Sequence, residues 1–335
     1  MGKRSCFFIL CIFLAISAIA LSACGGSRGG NGGTDKSPTV SVGSILDNFK
    51  TGKKATIEED QEAPDRDNTP VVLETTADGF EAFEGTGAAV DFSHAADGYI
   101  MAKYEGDNPK IKIQITRNGG STYTYNVHPG EPFVGYPLSE GEGAYNVAMF
   151  LNIEGDKYSQ ACAQEIQADI TDEFSPFLRP NQYSNFTEST RAVTKSSEIA
   201  QGCKSDLKVI EELFLFVTGN VVYDYDKAKN VQSGYIPDID ETLTSGKGIC
   251  FDYASLMVCM MRTQRIPCRL VVGYAGEAYH AWISVHVDGI GWVANMIQFN
   301  DDQWTLMDPT FAAGGDTADP NVIGDGENYN PVYYY

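Results

Sequence analysis

The chain has 335 residues, 43% of them hydrophobic, and a formal net charge of −21 at pH 7. A surface this acidic repels phosphate backbones and anionic headgroups, which argues against nucleic acid as a partner and leaves any membrane contact to a lipid. Four histidines, and no pair of cysteines at the close Cys-x-x-Cys spacing, leave little from which to build a structural metal site, and no motif calls for a cofactor.

Lys3 and Arg4 precede an apolar run over 7–21, too short for a stable spanning helix and suited to a secretory signal. Residues 1–23 therefore read as an export peptide. The run closes with Leu21-Ser22-Ala23-Cys24-Gly25, which resembles the lipobox of bacterial lipoproteins. On that resemblance Cys24 is lipidated and becomes the first mature residue, tethering the protein to the extracytoplasmic face of the cell membrane. Two or three acyl chains, at roughly 0.8 kcal/mol per buried methylene, hold far better than one. Residues 24–70 begin with a glycine-rich run and continue charged and short of aromatics, so they read as a flexible leash. A coil of that length separates its ends by roughly 35 to 40 Å.

Residues 71–170 predict a small all-β, sandwich-like domain. Stretches over 99–104, 111–115 and 122–127 alternate apolar and polar residues with a period of two, and Asn118-Gly119-Gly120 supplies a hairpin turn between the last two. Another strand over 144–152 follows Gly141-Glu142-Gly143. His94 and His128 lie near turns without a cluster of cysteines or carboxylates around them in the sequence, which leaves them no evident chemistry. The domain reads as a spacer or a recognition module.

Residues 171–335 change period. Over 205–219, Leu207, Ile210, Leu213, Phe214 and Val217 recur at helical intervals. A second helix is expected from Cys250 to about Gln264, in a stretch rich in helix formers and free of glycine and proline until Pro267. Strands are then expected over 269–274, 281–287, 291–297 and 303–307, with 288–291 as a hairpin connection. Helices first and an antiparallel sheet afterwards make an α+β arrangement.

Removing Cys6 and Cys11 of the signal, and Cys24, leaves Cys162, Cys203, Cys250, Cys259 and Cys268, an odd set with at least one free thiol. Cys250 follows Gly246-Lys247-Gly248-Ile249 and opens the expected helix, where unpaired amides and the positive end of the dipole favour a thiolate. His280 lies at the start of a strand and Asp308 at the end of a neighbouring one. A thiol, an imidazole and a carboxylate on three different elements are what nucleophilic acyl transfer requires, with the carboxylate orienting the base and the base facing the nucleophile. The Cys250 amide is one oxyanion donor.

Gly248-Ile249-Cys250-Phe251-Asp252-Tyr253-Ala254, then Arg262, Ile266-Pro267, Gly273-Tyr274, His280-Ala281-Trp282 and Asp308-Pro309-Thr310 resemble, in order, the signature blocks of the transglutaminase-like superfamily. The resemblance runs over about 223–311 and implies a papain-like, cysteine-proteinase-like fold for 171–335, with the triad Cys250, His280 and Asp308. It also implies thioacyl-enzyme chemistry on amide bonds of extracellular peptide, protein or cell-wall peptide substrates, with amine or water as acceptor. A thiol protease proper and a catalytically silent surface binding module are the alternatives. The chain departs from the family pattern in two places. Gln264-Arg265 stands where many relatives have a glycine, which is expected to alter only the end of the helix. No tryptophan precedes Trp282, so the upstream oxyanion donor of many relatives is missing, and Tyr223 or Tyr225 is the candidate substitute. The calcium dependence of animal transglutaminases does not carry over, because Asn300-Asp301-Asp302 falls short of the six or more oxygens such a site needs.

Overall fold

The computed structural model describes residues 66–293, 296–300, 303–306, 308–313 and 329–335. The export signal, Cys24, the leash as far as residue 65, Asp301, Asp302 and Met307 lie outside the described residues. Two compact units divide the described chain, one over Thr75–Pro176 and one formed by 66–74 together with Phe177–Tyr335.

In the first unit two four-stranded antiparallel sheets account for the strands. One has the order β1 (Ala82–Gly85), β2 (Ala88–Asp91), β3 (Tyr99–Tyr104), β6 (Val134–Pro137); the other runs β5 (Thr122–Val127), β4 (Ile111–Arg117), β7 (Gly143–Glu154), β8 (Lys157–Ala168). Strands β3, β4, β5 and β7 are the four that periodicity predicts. Ile111, Ile113 and Ile115 are buried and alternate with half-buried Lys112, Gln114 and Thr116, as one covered sheet face requires. Strand β8 escapes that signal because its sequence is mostly polar; pairing with β7 along nearly its whole length specifies it instead. His94 differs from its expected isolation. Its ring nitrogens meet Asp97 at 2.8 Å and Asp78 at 3.1 Å, and its ring stacks on Tyr99 at 5.1 Å. Folding brings those carboxylates from three residues after it and sixteen before it.

The second unit is built around α5 (Cys250–Thr263), whose residues are buried almost throughout, with β12 (Ala278–Val287) and β11 (Cys268–Ala275) against it. Helices α1 (Arg191–Ala200), α2 (Asp206–Asn220) and α4 (Ile239–Ser245) pack on its other sides. A helix apolar on every face needs such a complete jacket. Ser205 caps α2 by accepting from the Lys208 amide at 3.2 Å. The sheet has the order β13 (Gly291–Val293), β12, β11, β16 (Tyr329–Tyr334), all antiparallel.

Two expectations change here. The strand expected over 291–297 is divided: β13 joins the main sheet, whereas β14 (Met296–Asn300) pairs with β15 (Gln303–Leu306) in a separate two-stranded ribbon. Asp308 therefore follows a ribbon strand and not a neighbour of β12. The second change is β16, which proline within Tyr329-Asn330-Pro331 hides from strand periodicity. Pro331 is accommodated on an edge strand, where the register with β11 shifts between Val272 and Gly273. Gly273 is required there, since a Cβ would stand 2.2 Å from the Asn330 carbonyl oxygen.

Residues 66–70, expected as the end of the leash, are docked on this unit. Arg66 pairs with Asp206 at 2.6 Å and donates to the Gln264 carbonyl, Asn68 donates to the Cys203 carbonyl at 3.0 Å, and Val71 donates to that of Thr263 at 2.9 Å. Arg265 donates to the Thr69 carbonyl at 2.7 Å and to that of Asp67. Its backbone is left-handed, with φ of 62°, where glycine would be easier. The Gln264-Arg265 departure thus does more than end a helix: it supplies side chains that grip the strap. Cys162, Cys203, Cys250, Cys259 and Cys268 are all buried.

Candidate active site

Cys250 is the first residue of α5, and what precedes it explains the Gly-x-Cys pattern. A Cβ on Gly248 would lie 2.6 Å from the Cβ of Asp252, so only glycine lets the chain pass. Asp252, fully buried, reaches back to accept from the Ile249 amide at 2.8 Å, satisfying one of the amides that a helix start leaves open. Its charge is met by Lys227 at 2.8 Å, from α3 (Tyr225–Asn230), and by the Tyr235 hydroxyl at 2.5 Å. The Lys227 ammonium also lies over the Tyr235 ring, 4.5 Å from its centre. Lys227 and Tyr235 thereby hold the first turn of the helix that Cys250 opens, a role that neither sequence position signals.

His280 projects from β12 opposite Gly273. Its Nε2 meets Asp308 Oδ2 at 2.6 Å, and Cys250 lies near enough for its sulfur to act on the imidazole. The three groups are 9% (Cys250), 8% (His280) and 1% (Asp308) exposed, so the chain of contacts lies below the surface. Burial pulls the imidazole down, but the charge of Asp308 first and that of the Cys250 sulfur second, with hydrogen bonds to both, outweigh it and push His280 up to about 10. Asp308 is fixed in turn: Oδ1 accepts from the Thr310 amide at 3.0 Å, and Oδ2 also accepts from the Tyr329 hydroxyl at 2.7 Å. Its backbone carbonyl accepts from the Ala312 amide at 3.1 Å, within α6 (Pro309–Ala313), the helix that follows Asp308. Trp282, 1% exposed, lies nearly parallel to the His280 ring at 6.1 Å.

Tyr223 and Tyr225 fare differently. Tyr223 lies on β9 (Val222–Tyr223), which pairs in parallel with β10 (Lys247–Gly248) and sets Tyr223 in register with Gly248, two residues ahead of Cys250. Tyr225 opens α3, 48% exposed, its ring edge-on to that of Tyr223 at 5.0 Å. Tyr279 comes close enough to Cys250 to feel its charge; burial chiefly, then Tyr333, Tyr274 and Cys250, push its phenol up to about 12. Phe251 turns toward Tyr183, with ring centres 5.3 Å apart. His286 packs edge-on to Trp292 at 5.6 Å, the packing role its place on the strand suggests. Asp308 and Tyr329 are where local reading fails most: the first arrives from a separate ribbon and the second from a strand that periodicity misses.

A thiol, an imidazole and a carboxylate linked in this order can hold a proton between sulfur and ring while the carboxylate keeps the ring aligned. Residues 193–296 match the family model of the transglutaminase-like superfamily, a stretch that holds Cys250 and His280 and stops short of Asp308. The UPF0252 protein MJ1282 of Methanocaldococcus jannaschii is 29% identical over 133 residues, which are 34% of this chain and 38% of that protein. The chain thus spans well under half the length of this curated relative. Among solved structures, a candidate cysteine protease from Cytophaga hutchinsonii is 17% identical, with a TM-score of 0.33 over 63% of this chain and 78% of its own. A candidate protease from Parabacteroides distasonis is 11% identical, with a TM-score of 0.30 over 62% of both chains.

Proposed function

We propose that the chain transfers or hydrolyses acyl groups at amide bonds with Cys250, His280 and Asp308 as its reacting set, a reading supported by the match of residues 193–296 to the transglutaminase-like superfamily, which points to a thiol-dependent enzyme. Cys250 Sγ attacks the amide carbonyl carbon and forms a thioester as the C–N bond breaks. His280 gives its proton to the departing amine. An amine or a water then attacks the thioester, His280 takes the incoming proton, and the C–S bond breaks to release the Cys250 thiolate beside the imidazolium. Asp308 holds the ring in the required tautomer. The backbone amide of Cys250 is one oxyanion donor, and Tyr223 or Tyr225 is the candidate for the second. The observation that carries this reading is the buried His280 bonded to Asp308 at 2.6 Å, with the buried Cys250 near enough for its sulfur to raise the imidazole.

The test is the rate of iodoacetamide alkylation of Cys250 at neutral pH, followed by mass spectrometry in the wild type and in His280→Ala. A neighbouring imidazolium favours the anionic sulfur that reacts, so the substitution should slow alkylation about tenfold or more. Equal rates would remove the thiol–imidazole pair and with it the proposed chemistry.

The substrates proposed are extracellular peptides or proteins, cell-wall peptide among them, met by an enzyme tethered through Cys24. On this reading Cys24→Ala leaves the chemistry intact and moves the protein from the detergent-requiring membrane fraction to the soluble one. Unchanged fractionation would exclude the lipid anchor.

A further inference from the structure

We propose that Tyr329 is a positioning residue of this site, its hydroxyl sharing the Asp308 carboxylate with His280 and so limiting how tightly Asp308 holds the imidazolium proton. The proposal rests on the reading of Cys250, His280 and Asp308 as the reacting set.

Asp308 Oδ2 accepts from two donors, His280 Nε2 at 2.6 Å and Tyr329 Oη at 2.7 Å. Both distances belong to strong, charge-assisted bonds. Two donors on one oxygen divide its negative charge, so what the phenol draws is lost to the imidazolium. Burial first, and the Asp308 charge next, push the Tyr329 phenol far above its ordinary value, so it remains a donor at any working pH. Three elements fix where that hydroxyl stands. Strand β16 is held on β11 with Tyr329 opposite Ala275, and the close approach at Gly273 lets its backbone come in. The Tyr329 ring packs edge-on to Trp282 at 5.0 Å and lies 6.4 Å from the His280 ring.

Removing the hydroxyl does not set Asp308 adrift, because the Thr310 amide still holds Oδ1 and α6 still begins at its carbonyl. The share of Oδ2 that the phenol took then falls to His280. The imidazolium then keeps its proton more firmly and becomes a poorer acid toward a departing amine. Among the described residues, the ionisable groups that face His280 are Cys250 from α5, Asp308 ahead of α6 and Tyr329 from β16, with Tyr279 its chain neighbour; Gly273, opposite on β11, brings none.

The experiment is a 15N imidazole titration of the full chain by NMR in the wild type, Tyr329→Phe and Asp308→Asn. His280→Gln identifies the resonance among the four histidines. Tyr329→Phe keeps the ring and its packing, so a purely structural role leaves the His280 midpoint where it was. The proposal expects that midpoint to rise by about one pH unit, while Asp308→Asn lowers it. Should Tyr329→Phe lose its fold at high pH, the His280 Nε2–H proton read at neutral pH reports the same bond and should move further downfield. An unmoved or lowered midpoint, or a proton that is unmoved or shifted upfield, in Tyr329→Phe overturns the proposal; if Asp308→Asn still lowers the midpoint, the triad reading stands. If neither variant moves His280, that reading falls and the proposal falls with it.

Discussion

Cys250→Ala is expected to abolish turnover while leaving the fold unchanged. The loss should be about 10⁴- to 10⁶-fold, the scale on which removing one member of a cooperating nucleophile–base set acts. The measurement is ammonia release from a glutamine-bearing peptide, and incorporation of a primary amine into it, by the full chain and by the variant. Little folding energy is at stake, since the substitution removes one sulfur atom at a helix start that Asp252 and Gly248 hold by other contacts. Turnover equal to that of the wild type would exclude Cys250 as the nucleophile. The pH dependence follows from His280. A folded value raised to about 10 means that the ring binds its proton more tightly folded than unfolded. Its contribution to stability is therefore complete below the ordinary histidine value of about 6.5 and is lost as pH rises through about 10. Over the same interval the proton needed by the departing amine disappears, so activity should decline on the alkaline side toward about pH 10.

The second large effect is on stability. Lys227→Met strips the cation from a carboxylate that has no exposure at all, and an unpaired buried charge costs several kcal/mol. Lys227 itself is 29% exposed, so solvent and the Tyr235 hydroxyl recover part of that cost. The net loss should be about 2 to 3 kcal/mol, seen as a fall in Tm of about 5 to 10 °C by calorimetry. Adding Asp252→Asn to Lys227→Met should return part of it, because the charge that lacked a partner is then gone. An unchanged Tm in Lys227→Met would mean that the pair does not hold the helix start.

Much of this was legible without coordinates, and the reason differs by residue. Cys250 announces itself through Gly248, whose missing Cβ is a local steric need, and through the helix formers that follow. His280 and Trp282 lie on one face of a strand that its β-branched residues predict and that is buried on both faces. Strands β4 and β5 carry their period openly, since each alternates buried with part-exposed residues, whereas β3 is buried at all but Lys103. By contrast β8 is polar and β16 carries a proline, so both exist because a neighbouring strand pairs with them. The docking of 66–70 depends on Arg66, Gln264 and Arg265 meeting across nearly two hundred residues, which no local pattern encodes.

What the sequence determined by itself was therefore the order of the thiol, imidazole and carboxylate proposed to react and the elements that carry Cys250 and His280, because helix starts, glycine contacts and strand propensity act within a few residues. Tertiary structure alone decided that Asp308 reaches His280 from a separate ribbon, that Tyr329 claims the same carboxylate oxygen, and that Lys227 and Tyr235 neutralise Asp252 behind the thiol. Those contacts join residues 17 to 28 positions apart. At such separations a hydrogen bond depends on where whole elements pack, and only burial in the assembled core makes it strong enough to govern the site.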